Sequence, residues 1–403
     1  MRKKSDDKNS ERDFGTRPLF DEETKGSIEE SDEKATEIEA RPNSIHGGHV
    51  SSVSSSGSQP TLNEWKHLYA AAIAFRDLAP WHWMFEDQMF AVVDPESGEV
   101  GYCSVMGAGG EFHALGVYRG AKGLLSYRRI SVRDMEGDGL GLADDPDVFL
   151  GQKALMASFE GSRDVDKRDK KIFQSLGLRF RGKQSWPVVR SHEPGCVPWF
   201  LDSGECRFLT QALEQAARVG QRIKDNPELL DEKPGCILTR VHIHDGKVGT
   251  WTDEWRTWPC LEDEMKTDFL QPISQVSEIR LKRVTKEAKP SGAWEVDISY
   301  APFSVYEGER PYFPRLMLCV HHGSGMVLAA YPGEHDVDSS DFVEQFVAAM
   351  EQHEIYPEQV VVCRSSVGRL LLSVAQAIAA EVLETDYLPG VVMAREGMRE
   401  FMS

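Results

Sequence analysis

Apolar positions fall into a regular pattern from Thr61 onward. Thr61-Leu62-Asn63-Glu64 has the form of a capping box, a threonine followed three residues later by a glutamate. Trp65, Leu68, Tyr69, Ala72, Ile73 and Phe75 then recur at helical spacing until Pro80 ends the helix. Strand patterns follow at Met89 to Asp94, Val100 to Met106 and Phe112 to Tyr118, joined by turns at Pro95–Gly98 and Gly107–Gly110. Ala154 to Phe159 reads as a further strand. Asp166 to Leu176 reads as a charged helix closed by Gly177. Trp186 to Arg190 is a strand, and Glu205 to Ile223 an amphipathic helix with Phe208, Leu209, Leu213, Ala216, Ala217 and Val219 on its apolar face. These elements predict an N-terminal α+β domain over residues 61–230, a mixed antiparallel sheet with helices.

Residues 231–290 read as a bridging segment. It holds one strand (Ile237 to His244), three tryptophans and a charged stretch, Lys282 to Lys289, that ends in Pro290-Ser291-Gly292. Beyond it Trp294 to Tyr300 alternates as a strand does, and Leu316 to Val320 with Met326 to Tyr331 predicts a hairpin. A helix (Ser340 to Glu354), a buried strand (Val360 to Cys363) and a second helix (Val367 to Leu383) complete an α/β domain over residues 291–403. The fold class is thus α+β in two domains. Residues 1–60 are rich in Ser, Asp, Glu and Lys and too poor in apolar side chains to offset chain entropy, so a disordered tail is expected there.

Charge narrows the partners. The formal net charge is −19, a surface that repels phosphate backbones and argues against unaided nucleic-acid binding. No apolar run approaches the roughly 20 residues of a bilayer span, and Met1 to Ser10 has no apolar signal region, so no membrane role is expected. Seven scattered cysteines without a C-x-x-C pair speak against a zinc ribbon or a disulfide framework and for a reducing, cytoplasmic setting.

Candidate chemistry is sparse. Asp134, Glu136, Asp138 and Asp145 stand at positions 1, 3, 5 and 12 of a calcium-loop spacing with Gly139 at position 6, though Gly141 and Pro146 break the pattern. His242 and His244 share one face of a strand but want a third ligand. Ser365-Ser366, between a strand and a helix, reads as a helix N-cap, and Cys363 as a small buried strand residue whose thiol a helix N-terminus can activate. Tryptophans are the conspicuous surplus. Trp186, Arg190, Trp199, Trp251 and Trp255 form a candidate rim for stacking a ligand or anchoring a partner.

The C-terminal order, opening on Asp297 in its first strand, resembles the ribonuclease-H-like core of transposases and integrases. In that family the first-strand aspartate and an acid just after the fourth strand hold two metal ions, which sit about 3.5–4 Å from each other and so need clustered carboxylates. Here the first acid maps onto Asp297. The second falls on Cys363-Arg364-Ser365-Ser366, which holds a cation and no carboxylate; Glu381 or Glu384 on the last helix stands for a third. The resemblance implies the topology and leaves Asp297 as the one catalytic candidate.

The longer chain is also similar to an uncharacterised bacterial two-domain family. The matching segments are Leu68-Tyr69-Ala70-Ala71-Ala72-Ile73 with Leu78-Ala79-Pro80-Trp81, Gly101-Tyr102-Cys103-Ser104-Val105-Met106-Gly107, Leu178-Arg179-Phe180-Arg181-Gly182, Pro198-Trp199-Phe200 and Arg310-Pro311-Tyr312. This likeness implies organisation and a bacterial cytoplasmic setting, with no assigned activity. The expectation is a non-catalytic binding or scaffolding protein with a protein or peptide partner and no cofactor. Its rival is a metal-dependent phosphoryl-transfer enzyme centred on Asp297.

Overall fold

In a computed structural model, α1 (Leu62–Leu78) begins at the capping box: the Glu64 amide donates to the Thr61 hydroxyl at 3.2 Å and the Thr61 amide to the Glu64 carboxylate at 2.7 Å. The structure describes residues 57–110, 112–136, 146–245, 248–261, 277–333, 337 and 339–402. Most of the expected tail lies outside them. After α1 come β1 (Phe90–Val93), β2 (Val100–Met106), β3 (Ala114–Arg119), α2 (Gly120–Glu136), α3 (Pro146–Leu150) and β4 (Ala154–Glu160). Then follow α4 (Lys167–Ser175), β5 (Trp186–His192), α5 (Ser203–Asp225), β6 (Cys236–Asp245) and β7 (Val248–Thr257).

The strands form one seven-stranded sheet in the order β5-β4-β3-β2-β1-β6-β7. It is antiparallel except where β6 joins β1 in parallel, with Ala91 opposite Thr239. Alternation sorts the side chains. Phe90, Val92, Cys103, Leu115 and Phe159 face the core under α1 and α5, while Ala91, Tyr102, Tyr118 and Ile237 pack with Leu124 of α2 on the other face. The segment expected to bridge the domains therefore supplies two strands of this sheet. Its tryptophans had obscured an ordinary alternating hairpin. Two helices of this domain escaped the sequence reading. The apolar positions of α2 are few and its charges many, and Pro146, taken as a helix breaker, occupies the first position of α3, where proline's missing N–H costs nothing.

The second domain contains α6 (Glu278–Glu287), β8 (Lys289–Pro290), β9 (Ala293–Tyr300), β10 (Arg315–His321), β11 (Met326–Gly333) and α7 (Ser339–His353). β12 (Ile355–Tyr356), β13 (Gln359–Val362), α8 (Ser365–Ala377), β14 (Glu381–Glu384) and α9 (Pro389–Met402) complete it. Its five-stranded sheet runs β11-β10-β9-β13-β14, antiparallel through β9–β10–β11 and parallel through β9–β13–β14. Trp294, Val296 and Ile298 of β9 enter the core with α6, α7 and α8, and Trp294 meets Phe346 edge-on at 5.9 Å.

The long last helix expected at residues 367–383 is two elements. Ala379, in the left-handed region at φ 58°, ends α8 and turns the chain into β14. Glu381 and Glu384 thus lie on a strand, not on a helix. Residue Arg364 is the N-cap of α8, and Ser365 and Ser366 stand inside its first turn without capping it. The overlong helix comes from reading Ile378, Ala379 and Ala380, which are helix-compatible by type, as continuous helix.

Gly123, within α2, lies against backbone: a Cβ there would meet the Lys153 carbonyl oxygen at 2.6 Å and the Tyr118 carbonyl carbon at 2.7 Å. Gly→Ala inside a helix ordinarily stabilises by about 1 kcal/mol. Here Gly123→Ala is expected to lower the thermal midpoint, which a melting curve checks; a rise would mean that α2 is not pressed onto β3 as described.

Candidate functional site

The polar face of β9 carries a dense constellation of charge. Glu295, Asp297 and Ser299 are buried on it, beneath α9. From α9 the buried Arg395 donates to Asp297 at 2.6 Å and to the Ser299 hydroxyl at 2.8 Å. Arg364, at the end of β13, comes from the other side, its Nε 3.4 Å from the Asp297 carboxylate and its Nη1 donating to the Ile298 carbonyl at 3.1 Å. The same guanidinium reaches Asp147 of α3 at 2.7 Å. Asp147 also accepts from the Tyr300 amide at 2.8 Å and from Arg315, whose guanidinium lies 3.5 Å over the Tyr300 ring. Acid and guanidinium alternate along one chain: Arg395, Asp297, Arg364, Asp147, Arg315.

The electrostatics follow from that alternation. Burial alone would raise the Asp147 carboxyl, but Arg364 and Arg315 outweigh it and hold the group well below the usual carboxylate range. Glu295, the next acid along β9, is committed elsewhere. One oxygen accepts from the Val391 amide at 3.0 Å, at the start of α9, and the other from His322 Nδ1 at 2.6 Å. His322 thereby presents its other nitrogen outward. Its neighbour His321 faces the opposite side, taking the Ser324 amide on Nδ1 at 3.1 Å and meeting the Ser291 hydroxyl with Nε2, also at 3.1 Å.

A second seam joins the two domains beside this network. The Val197 amide donates to Pro311 O at 3.0 Å and the Phe313 amide to Gly195 O at 2.7 Å. Arg310 caps the carbonyls of Ser191 and Val197 at 2.6 and 3.0 Å. Two segments that carried the sequence likeness, around Pro198-Trp199 and Arg310-Pro311, thus meet at this seam.

The candidate rim is divided. Trp186 packs against Phe173 and Phe180 at 6.0 and 5.6 Å. Arg190 holds the buried Asp169 with two bonds, 2.6 and 3.2 Å, and lies 4.6 Å over Phe200. Trp199 is pinned to Ser191 by a pair of backbone bonds and meets Phe200 edge-on at 5.5 Å. These three belong to the β5 edge of the sheet. Trp251 and Trp255 belong to β7, the opposite edge, roughly 29 Å away at the spacing of paired strands. Spacing along the sequence does not reveal such a division.

The remaining candidates part company as well. Asp134 and Glu136 have helical backbone at the end of α2, whereas Asp138 and Asp145 lie outside the described residues. His242 packs on Trp251 at 5.1 Å. Among the described residues no three His, Cys, Asp or Glu side chains converge to hold a metal ion. Cys363 is exposed one residue beyond β13, not buried within it. Even so, partial burial first, then the Asp297 charge, push its thiol up to about 11 against the pull of Arg364.

What these geometries define is a two-domain mixed α/β chain with an arginine-lined polar junction. Comparison with known families refines that class. Residues 65–240 match the family described as Domain of unknown function (DUF7309), and residues 280–399 match Domain of unknown function (DUF6930). The chain thus carries two domains of unknown function in sequence, which supports an uncharacterised paired-domain family. No curated protein and no solved structure matches it.

Two outcomes are expected. Asp147→Asn removes the charge that faces Arg315 and Arg364 and should destabilise by about 2–3 kcal/mol, below the cost at a fully buried pair because the aspartate keeps 15% of its side-chain exposure. An aspartate with a lowered folded-state value stabilises fully above its unfolded value near 3.9 and loses that contribution as pH falls through the folded one. The gap between wild-type and Asp147→Asn melting points should therefore be constant above about pH 5 and close below about pH 4. At Cys363, iodoacetamide at neutral pH should react at least about tenfold more slowly than with free cysteine, since the thiolate is the nucleophile. Rapid labelling would show instead that the thiol is activated.

Proposed function

We propose that this chain is a non-catalytic binding or scaffolding protein of the bacterial cytoplasm, that its partner is a protein or peptide, and that its C-terminal domain has a ribonuclease-H-like topology. The topology reading is supported by the sheet itself. A three-stranded meander is followed by helix, strand, helix, strand and helix, and the first and fourth strands lie side by side in parallel. That adjacency sets Asp297 beside the residues after β13, where a two-metal site of this topology would need its second acid.

The observation that carries the non-catalytic reading is the pairing of Asp297 with Arg395 and Arg364. A guanidinium on each side already supplies the positive charge that metal ions would bring. The carboxylate needed to hold a second ion is replaced by a cation. A metal ion there would face two fixed positive groups in a low-dielectric site, where repulsion is weakly screened. Among the described residues no helix is long and apolar enough to cross a membrane, and this agrees with the proposed setting.

The test is direct. Labelled single-stranded and duplex DNA and RNA, incubated with the full chain and magnesium or manganese, should remain intact. Asp297→Asn should leave that result unchanged while lowering stability through the loss of the Arg395 pair. Manganese-stimulated cleavage that disappears in Asp297→Asn would overturn the proposal and restore the phosphoryl-transfer reading.

A further inference from the structure

One strip of the surface runs against the charge of the whole. Residues 163–183 contain eight lysines and arginines against three aspartates, in a chain of net charge −19. The structure takes two of the three acids out of play. Asp169 is fully buried and held by Arg190, and Asp166 caps α4 through the Arg168 amide at 2.6 Å. The cations have no such engagement. Lys167, Lys171, Arg179, Arg181 and Lys183 are exposed, and among the described residues none of the eight basic side chains takes part in an ion pair. By contrast Arg119, Arg190, Arg207, Arg222 and Arg240 of the same domain each grip a carboxylate.

Like charges held close on a rigid helix repel one another, so a partner of opposite sign is stabilised there. Beneath them lies an aromatic layer. Phe200 is half-buried under Arg168 at 4.1 Å and Arg190 at 4.6 Å, and Phe180 is half-buried beside Trp186 and under Arg76 at 5.9 Å. The strip therefore offers charge together with two partly open rings.

We infer that this strip docks an acidic peptide segment, its carboxylates on the α4 and Arg179–Lys183 cations and an apolar side chain against Phe200 or Phe180. The inference rests on the binding-protein reading above and names the chemistry of the partner. Its size favours a peptide over nucleic acid. The nine residues of α4 span about 13 Å, within the reach of an extended peptide of about five residues. A nucleic acid, with a charge every ~1.7 Å of duplex, would run off the strip onto a surface whose net field repels it. The charges also give the contact a salt dependence.

The experiment uses the full chain and two fluorescent probes, a peptide of six glutamates interrupted by one phenylalanine and a 20-nucleotide oligothymidylate. The peptide should bind at 50 mM salt and weaken at least tenfold at 300 mM. The triple variant Lys167→Glu, Lys171→Glu, Arg181→Glu should weaken it at least tenfold again. Its circular dichroism and melting point should match wild type, because no partner in the fold is lost. Equal binding by wild type and the triple variant, or no binding at all, overturns the assignment of this strip. Tighter binding of the oligothymidylate, abolished by the triple variant, overturns it in favour of a polyphosphate ligand. None of these results produces metal-dependent cleavage, so failure here is distinct from failure of the non-catalytic reading, which only the nuclease assay can bring down.

Discussion

A carboxylate withdrawn from water must find cations or give up its charge, and Asp147 finds two. Arg315 and Arg364 both belong to the other domain, as does the Tyr300 amide that donates to it. One short helix, α3, thus carries the acid across the junction, and the C-terminal sheet is built to receive it. Arg315 starts β10, Tyr300 ends β9 and Arg364 follows β13, so three neighbouring strands contribute to one aspartate. The backbone bonds around Gly195, Val197 and Pro311 run alongside. Relative placement of the domains depends on this pairing, because removal of one member of a buried ionic set leaves the others uncompensated.

The same logic governs the face of β9. Two acids, Glu295 and Asp297, are buried two residues apart, which would be costly if both stood alone. Each is paired separately. Glu295 is given an α-helix N-terminus and an imidazole; Asp297 is given two guanidinium groups. The helix dipole and the arginine fork are structural ways to neutralise an acid. Together they fasten α9 to the sheet at both its first turn and its middle, through Val391 and Arg395.

Much of the fold was legible. The capping box at Thr61, the stripe through Phe75, the alternation of Trp294 to Tyr300, and helices α7 and most of α8 announce themselves by period and punctuation. What was hidden depended on residues distant in sequence. Membership of β6 and β7 in the first sheet is decided by β1, and a four-residue strand such as β14 gains identity only by pairing with β13. The candidate site was half legible. Asp297 stood out as the acid on a first strand and Arg364 as the cation displacing a second acid. Arg395 and Asp147 could not be found, because one lies on a helix that Pro389 and Gly390 disguise and the other looks like one more acid in an acidic stretch. A charge inside an amphipathic helix was the available signal for Arg395, and it was weak. Likewise the tryptophans drew notice by their number, whereas burial and opposite sheet edges separate them.

The parallel pairing of β1 with β6 has a bearing on how the chain is made. Ala91 lies beside Thr239, so β1, an inner strand of the first sheet, has an open flank until nearly the whole domain has left the ribosome. During that interval β1, rich in Phe and Val, exposes unpaired backbone on one side. Such edges invite pairing with other chains. Contacts this far apart in sequence also close slowly, since the loop must be ordered before the contact rewards it. The C-terminal domain has its central β9 flanked by β10 soon after synthesis, and only β13 must travel far. Synthesis therefore hands a late-closing first domain to a faster-closing second one, and the Asp147 junction can form only once both are complete.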